Sequence, residues 1–172
     1  MSLLSKATLI EVYTDGACSG NPGYGGYGIV CVIKDEIIAT YSKGYIFTTN
    51  NRMELMAVLE AMKLYEGMPI RLWSDSQYVV NGVKYWLKSW VKNEWCKSDG
   101  TPIKNKDLWQ AIYDRLQLTE VIMNHIKGHY GNRFNELADR LARQALLEPE
   151  DIDVGFIETF DIENSEPSQD ET

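Results

Sequence analysis

Apolar runs along this chain are short and broken by charge, and their order predicts an alternation of strands and helices. "TLIEVYTD" reads as a first strand, with Asp15 at its end. "GYGIVCVIK" and "EIIATYSKGYI" read as two more, separated by the polar pair Asp35-Glu36, which suggests a hairpin. "NNRMELMAVLEAMKLYEG" reads as a helix with an Asn start and a Gly stop. After it come a short strand, "PIRLWSD", and a helical run, "SQYVVNGVKYWLKSW", with an expected interruption near Gly82. "NKDLWQAIYDRLQ" is a helix with Asp107 in its first turn, and "TEVIMNHIKG" is a strand. "RFNELADRLARQALL" closes the body as a helix striped by Phe134, Ala138, Leu141 and Ala145. Three antiparallel strands followed by alternating helices and strands predict an α/β fold with a mixed sheet and helices packed on it.

Composition narrows the setting. At 172 residues the chain is expected to form one domain with extras. No run approaches the roughly 18 consecutive apolar residues of a membrane helix. The N-terminal stretch lacks the charged region, apolar core and cleavage site of a secretory signal, and three cysteines without metal-ligand spacing read as reduced thiols. The expected location is therefore the cytoplasm. A net charge of −8 argues against a nucleic-acid partner until its distribution is considered. Ten acidic residues and no Lys or Arg lie between Glu148 and Thr172, leaving 17 basic against 15 acidic groups in residues 1–147. The segment Lys84–Lys106 holds six lysines against Glu94 and Asp99. The acidity thus sits in the tail, and the body carries a basic patch. Residues 1–147 are read as the working domain and 148–172 as an acidic tail. Within the tail "VGFIETF" is able to dock on the body, and the end, from Asn164, is expected to be disordered.

Four acids stand out on this framework. Asp15 and Asp75 end strands, and sites in open α/β sheets form beyond strand ends. Glu54 heads an apolar stripe of Ala57, Val58 and Ala61, so it is expected to be partly buried, which is costly unless it is paired or metal-bound. Asp139 lies beside the apolar stripe of the last helix. Singly, each has a plainer use: a turn residue at Asp15, a helix cap at Asp75, a dipole partner at Glu54 and a solvated position at Asp139. Together they suggest a carboxylate cluster, which cations must neutralise, and oxygen-only ligands suit Mg²⁺ or Mn²⁺ rather than zinc.

Five stretches, "YTDGACSGNPGYGGYG", "TTNNRMELMAVLEA", "SDSQYVVNGV", "KNKDLW" and "KGHYGNRFNELADRLA", resemble type 1 ribonuclease H of the bacterial kind, in family order, from about Leu9 to Leu146. The resemblance implies a five-stranded mixed sheet, three strands antiparallel and then two parallel, flanked by helices. It implies hydrolysis of the RNA strand of an RNA–DNA hybrid, without sequence specificity, to 5′-phosphate and 3′-hydroxyl ends. It places the metal ligands at Asp15, Glu54, Asp75 and Asp139, and a histidine that assists proton transfer or product release at His129. Two Mg²⁺ ions, for which Mn²⁺ can substitute, would sit about 3.5–4 Å apart at the scissile phosphate. Asn21, Asn50 and Gln77 are implied to contact the hybrid minor groove, where the 2′-hydroxyl marks RNA. Thr49 is implied to grip a DNA phosphate, and Asn51 and Asn135 match polar positions nearby. The basic segment, about residues 84–106, matches the family's protruding handle, with Trp86 lining the DNA channel and Lys88 and Lys92 meeting phosphates. Asn50 and Asn51 also suit helix capping, and Trp90 suits packing. The glycines after Asp15 are expected to allow positive φ and close approach to the hybrid. The pattern departs from the family at Tyr130 and at Asn132-Arg133-Phe134, and the acidic tail is outside it. Other readings are a nucleotide-binding Gly-loop, disfavoured because the loop lacks a Gly-Lys-Ser/Thr ending, a non-catalytic hybrid-binding module, and an integrase or resolvase. A monomer is expected, with no obligate protein partner.

Overall fold

The computed structural model describes residues 9–127 and 131–165. Among these, five strands form one mixed sheet of order β3-β2-β1-β4-β5. Strands β1 (Ile10–Ser19), β2 (Gly23–Ile33) and β3 (Glu36–Thr48) are antiparallel neighbours; β4 (Ile70–Ser74) and β5 (Val121–His125) run parallel to β1. The expected mixed sheet is present. The β2–β3 hairpin turns at Lys34-Asp35, one residue earlier than the charge pair suggested, with both φ angles positive (49° and 64°) as a tight hairpin turn requires.

Side-chain alternation builds two cores, one on each face. Val12, Ile29 and Cys31 join the larger cluster with α1 (Asn50–Leu64) and α4 (Lys106–Leu116). Tyr13, Val30 and Val32 face α5 (Arg133–Leu147) through Phe134 and Ala138. The α5 backbone lies close on β2 because a Cβ at Gly28 would collide with the Ala138 carbonyl oxygen, and one at Gly26 with that of Ala142. Most of the glycines after Asp15 are therefore strand residues that admit helices; among the glycines between Thr14 and Gly28 only Gly20 has a positive φ, at 91°.

The basic segment starts as one helical run: α2 (Gln77–Asn81), a π-helical turn over Gly82–Trp86, and α3 (Leu87–Lys92). The irregularity expected near Gly82 is this π turn, and a side chain at Gly82 would strike the Trp109 ring. Residues 148–165 lie against the body. Ile46 N–H donates to the Asp151 carbonyl at 2.9 Å, continuing the outer edge of β3. Helix α6 (Val154–Ser165) sets Phe156 and Phe160 against Phe47, with ring centroids 5.1 and 5.2 Å away. Among the described residues no helix is long and apolar enough to cross a membrane.

Candidate active site

The site forms where the two halves of the sheet part. Parallel pairing of β1 with β4 stops at Thr14–Ser74, while β1 goes on pairing with β2 as far as Ser19. Asp15 therefore does not end its strand as expected. It is the first β1 residue past the parallel pairing, and Asp75 is the first residue past β4. Ser76, rather than Asp75, caps α2, its Oγ accepting from Val79 N–H at 3.3 Å. Glu54 reaches the same point from α1. A Cβ at Gly16 would strike the Glu54 nitrogen and Met53 carbonyl carbon, so the bare Gly16 lets α1 settle directly on β1. Gly16 N–H also donates to Asp15 Oδ1 at 3.0 Å, fixing that carboxyl.

Carboxylate oxygens of Asp15, Glu54 and Asp75 all lie within 4.8 Å of one another. Asp139, on α5 and ion-paired with Arg143, lines the same cavity of about 580 Å³. Asn50, Ser76, Gln77, His125 and Lys127 share its walls. The crowding has an electrostatic cost. Burial, then the Asp75 charge, pushes the Asp15 carboxyl up to about 8. Burial, then Asp15 and Asp75, raises Glu54 well above the usual carboxylate range. Without a cation, both carboxyls therefore favour the neutral form. Among the described residues nothing hydrogen-bonds Glu54 Oε2, a buried oxygen on a residue only 4% exposed. An all-oxygen donor set with an orphaned buried acceptor fits a hard divalent cation.

The other expected residues distribute around this centre. Asn50 and Gln77 line the cavity, and Asn21 Oδ1 accepts Asn50 N–H at 2.9 Å, tying the β1–β2 turn to the start of α1. Thr49 is the cap of α1, accepting Arg52 N–H at 3.3 Å, so the capping expected of Asn50 or Asn51 falls to it. Asn51 is exposed on α1. Asn135 is 2% exposed, and its Oδ1 has no hydrogen-bond partner among the described residues. Trp86 packs on Tyr78 and Trp90 with one face in solvent, while Trp90 packs edge-on to Trp109. Lys88 and Lys92 are exposed on α3. His129 lies outside the described residues. His125 was missed from sequence, although the strand-end logic that selects Asp75 on β4 also selects its neighbour on β5.

The sheet thus brings acids from two adjacent strands, β1 and the end of β4, to a buried helical glutamate. The RNase H family model matches residues 7–147. Ribonuclease HI of Haemophilus influenzae is 49% identical over 150 residues, covering 87% of this chain and 97% of that protein. Among solved structures, LC9-RNase H1, a type 1 RNase H with the type 2 active-site motif, superposes with a TM-score of 0.73 at 30% identity, covering 83% of this chain and 74% of that one. The foamy viral protease-reverse transcriptase in complex with RNA/DNA hybrid also gives 0.73, at 26% identity, over 85% of this chain and 21% of that one. The chain belongs to the ribonuclease H family.

Proposed function

We propose that this protein cleaves the RNA strand of RNA–DNA hybrids, leaving 5′-phosphate and 3′-hydroxyl ends, with Mg²⁺ (or Mn²⁺) held by Asp15, Glu54, Asp75 and Asp139. The observation that carries the reading is the convergence of three carboxylates within 4.8 Å, with a fourth lining the same cavity. The foamy viral relative, whose structure is described with an RNA/DNA hybrid, supports the substrate class.

Bound divalent ions supply the charge that activates the attacking water and stabilises the leaving 3′-oxygen. The chain's own residues do the rest. The raised carboxyls of Asp15 and Glu54 would give up protons on loading, and Gly16 N–H keeps the Asp15 carboxyl aimed at the site. Asn50 and Gln77, beside the acids, present amide groups to the minor groove, where 2′-hydroxyls distinguish RNA from DNA. The Asn21–Asn50 hydrogen bond ties the β1–β2 turn to the Asn50 main chain. Thr49 takes a DNA phosphate, Asn51 and Asn135 add polar groups near the site, and His129 moves a proton or frees product. Trp86 and the Lys88–Lys92 pair guide the DNA strand along the handle without reading its sequence. The enzyme acts as a monomer in the cytoplasm, a setting in which its free Cys18, Cys31 and Cys96 stay reduced.

The test is a cleavage assay on RNA–DNA hybrid, RNA duplex and DNA junction, with and without Mg²⁺. Cutting confined to hybrid RNA and dependent on the metal is expected. Asp75→Asn should lower turnover by at least about 100-fold with an unchanged fold, since it removes one charge from the cluster. Metal-independent cutting, or an active Asp75→Asn, would overturn the proposal.

A further inference from the structure

We infer that His125 is a positioning residue for this site: its imidazole holds the main chain of Asp75 where the pairing of β4 with β5 runs out. The inference rests on the metal-dependent reading above and deepens it.

The β4–β5 pairing ends at Ser74–His125, and the neighbouring bond runs from Ile126 N–H to the Ser74 carbonyl at 2.8 Å. One residue on, the Asp75 carbonyl lies past the end of the ladder. His125 Nε2 stands 3.2 Å from that oxygen. A carbonyl only accepts, so Nε2 carries the hydrogen, and the ring supplies a bond from β5 beyond the end of the ladder. On the other side the turn is tied by Ser76 N–H donating to Ser74 Oγ at 3.1 Å, and by Ser76 Oγ capping α2. The Asp75 peptide is thereby held from both flanks. Its carbonyl orientation fixes the backbone from which the carboxyl projects toward Asp15 and Glu54. His125 lines the cavity without being one of the clustered acids. Groups that orient a ligand in this way govern metal affinity and leave the contacts to the rest of the substrate unchanged.

Three variants separate this role from packing. His125→Gln keeps an amide N–H at nearly the reach of Nε2. His125→Asn keeps polarity but stops short, and His125→Leu keeps bulk without a donor. The readouts are Mn²⁺ binding to the substrate-free protein, followed by electron paramagnetic resonance, then the Mg²⁺ dependence of kcat, KM for hybrid at saturating Mg²⁺, and Tm. His125→Leu and His125→Asn are expected to bind Mn²⁺ about 3–10-fold more weakly, in line with one lost hydrogen bond. They should also need correspondingly more Mg²⁺ for half-maximal turnover, at unchanged KM. His125→Gln should stay within about twofold of the wild type. Wild-type Mn²⁺ binding in His125→Leu or His125→Asn overturns the inference, and so does a His125→Gln as weak as either. A wild-type protein that binds no Mn²⁺ overturns the metal reading itself and the inference with it.

Discussion

Replacing Asp153 by alanine tests how the acidic tail contributes to the enzyme. Its side chain is 2% exposed and accepts four hydrogen bonds. Arg52 Nε and Nη2 donate at 2.7 and 3.0 Å, Thr48 Oγ1 at 2.7 Å, and Phe156 N–H at 3.3 Å. Arg52 is itself only 2% exposed and sits two residues before Glu54. Its remaining carboxylate partner, Asp107, bonds it at 2.6 and 2.8 Å. Breaking a buried pair by removing one member costs about 3–5 kcal/mol, because the other charge stays buried. Asp107 still neutralises part of Arg52, which places Asp153→Ala near the lower end, about 3 kcal/mol. In a chain of this size that corresponds to a Tm fall of about 6–12 °C. Asp107→Ala leaves Asp153 in place, and the Asp107 side chain is 45% exposed, so its loss should cost about 1 kcal/mol. Urea unfolding of both variants, followed by circular dichroism, gives the comparison, with a lower midpoint at an unchanged m-value as the expected signature. Equal costs for the two variants, or a loss below about 1 kcal/mol for Asp153→Ala, would refute the assignment of Asp153 as the tail's anchor.

Two further outcomes follow from the site. In the metal-free protein Asp15 keeps its proton up to about pH 8, whereas in the unfolded chain it loses it near pH 4. Its contribution to stability is thus complete below about pH 4 and lost as pH rises toward about 8. Mg²⁺ must displace that proton, so the rise in Tm on adding Mg²⁺ should grow from pH 6 to pH 8.5; a rise independent of pH would refute the raised Asp15 carboxyl. Gly28→Ala should push α5 off β2 through the Ala138 carbonyl and Leu141 Cβ, costing about 1–3 kcal/mol, and move the neighbouring Asp139. Steady-state kinetics well below its Tm should then show kcat reduced at least about tenfold, and wild-type kcat would show that this contact does not set the place of Asp139.

The elements and the acids were largely legible in the sequence because each rests on local information. Strand and helix periods show in runs such as "GYGIVCVIK" and "NELADRLARQALL". Glu54 declared itself as a charge on an otherwise apolar helical stripe, and it proves to be 4% exposed. The misreadings concern long-range pairing. Asp15 looked like a strand end because glycines follow it, yet β2 returns to pair with that very stretch as far as Ser19. The same glycines looked like room for substrate. Their neighbours are backbone atoms of α1 and α5, which the local sequence does not reveal. Asp153 looked like one acid among ten in the tail, because the arginine that makes it structural lies 101 residues earlier.

The position of Arg52 gives these features a common physical cause. The cluster of Asp15, Glu54 and Asp75 works against the fold: its carboxyls are crowded together, two of them buried, and burial and mutual repulsion raise those two. A helix carrying Glu54 into such a place must be held there by something other than its own ligands, since those ligands favour separation until a cation arrives. Close packing at Gly16 supplies one constraint. The other lies two residues before Glu54, where Arg52 is clamped between Asp107 at the start of α4 and Asp153 ahead of α6. Because its Arg52–Asp153 arm pairs opposite charges in the interior, the clamp favours a single placement of α1 and is expensive to open. Residues 148–165 are therefore predicted to help keep the acids assembled. Removing them should weaken Mn²⁺ binding in the substrate-free protein as well as lowering Tm, whereas a passive tail would leave both unchanged.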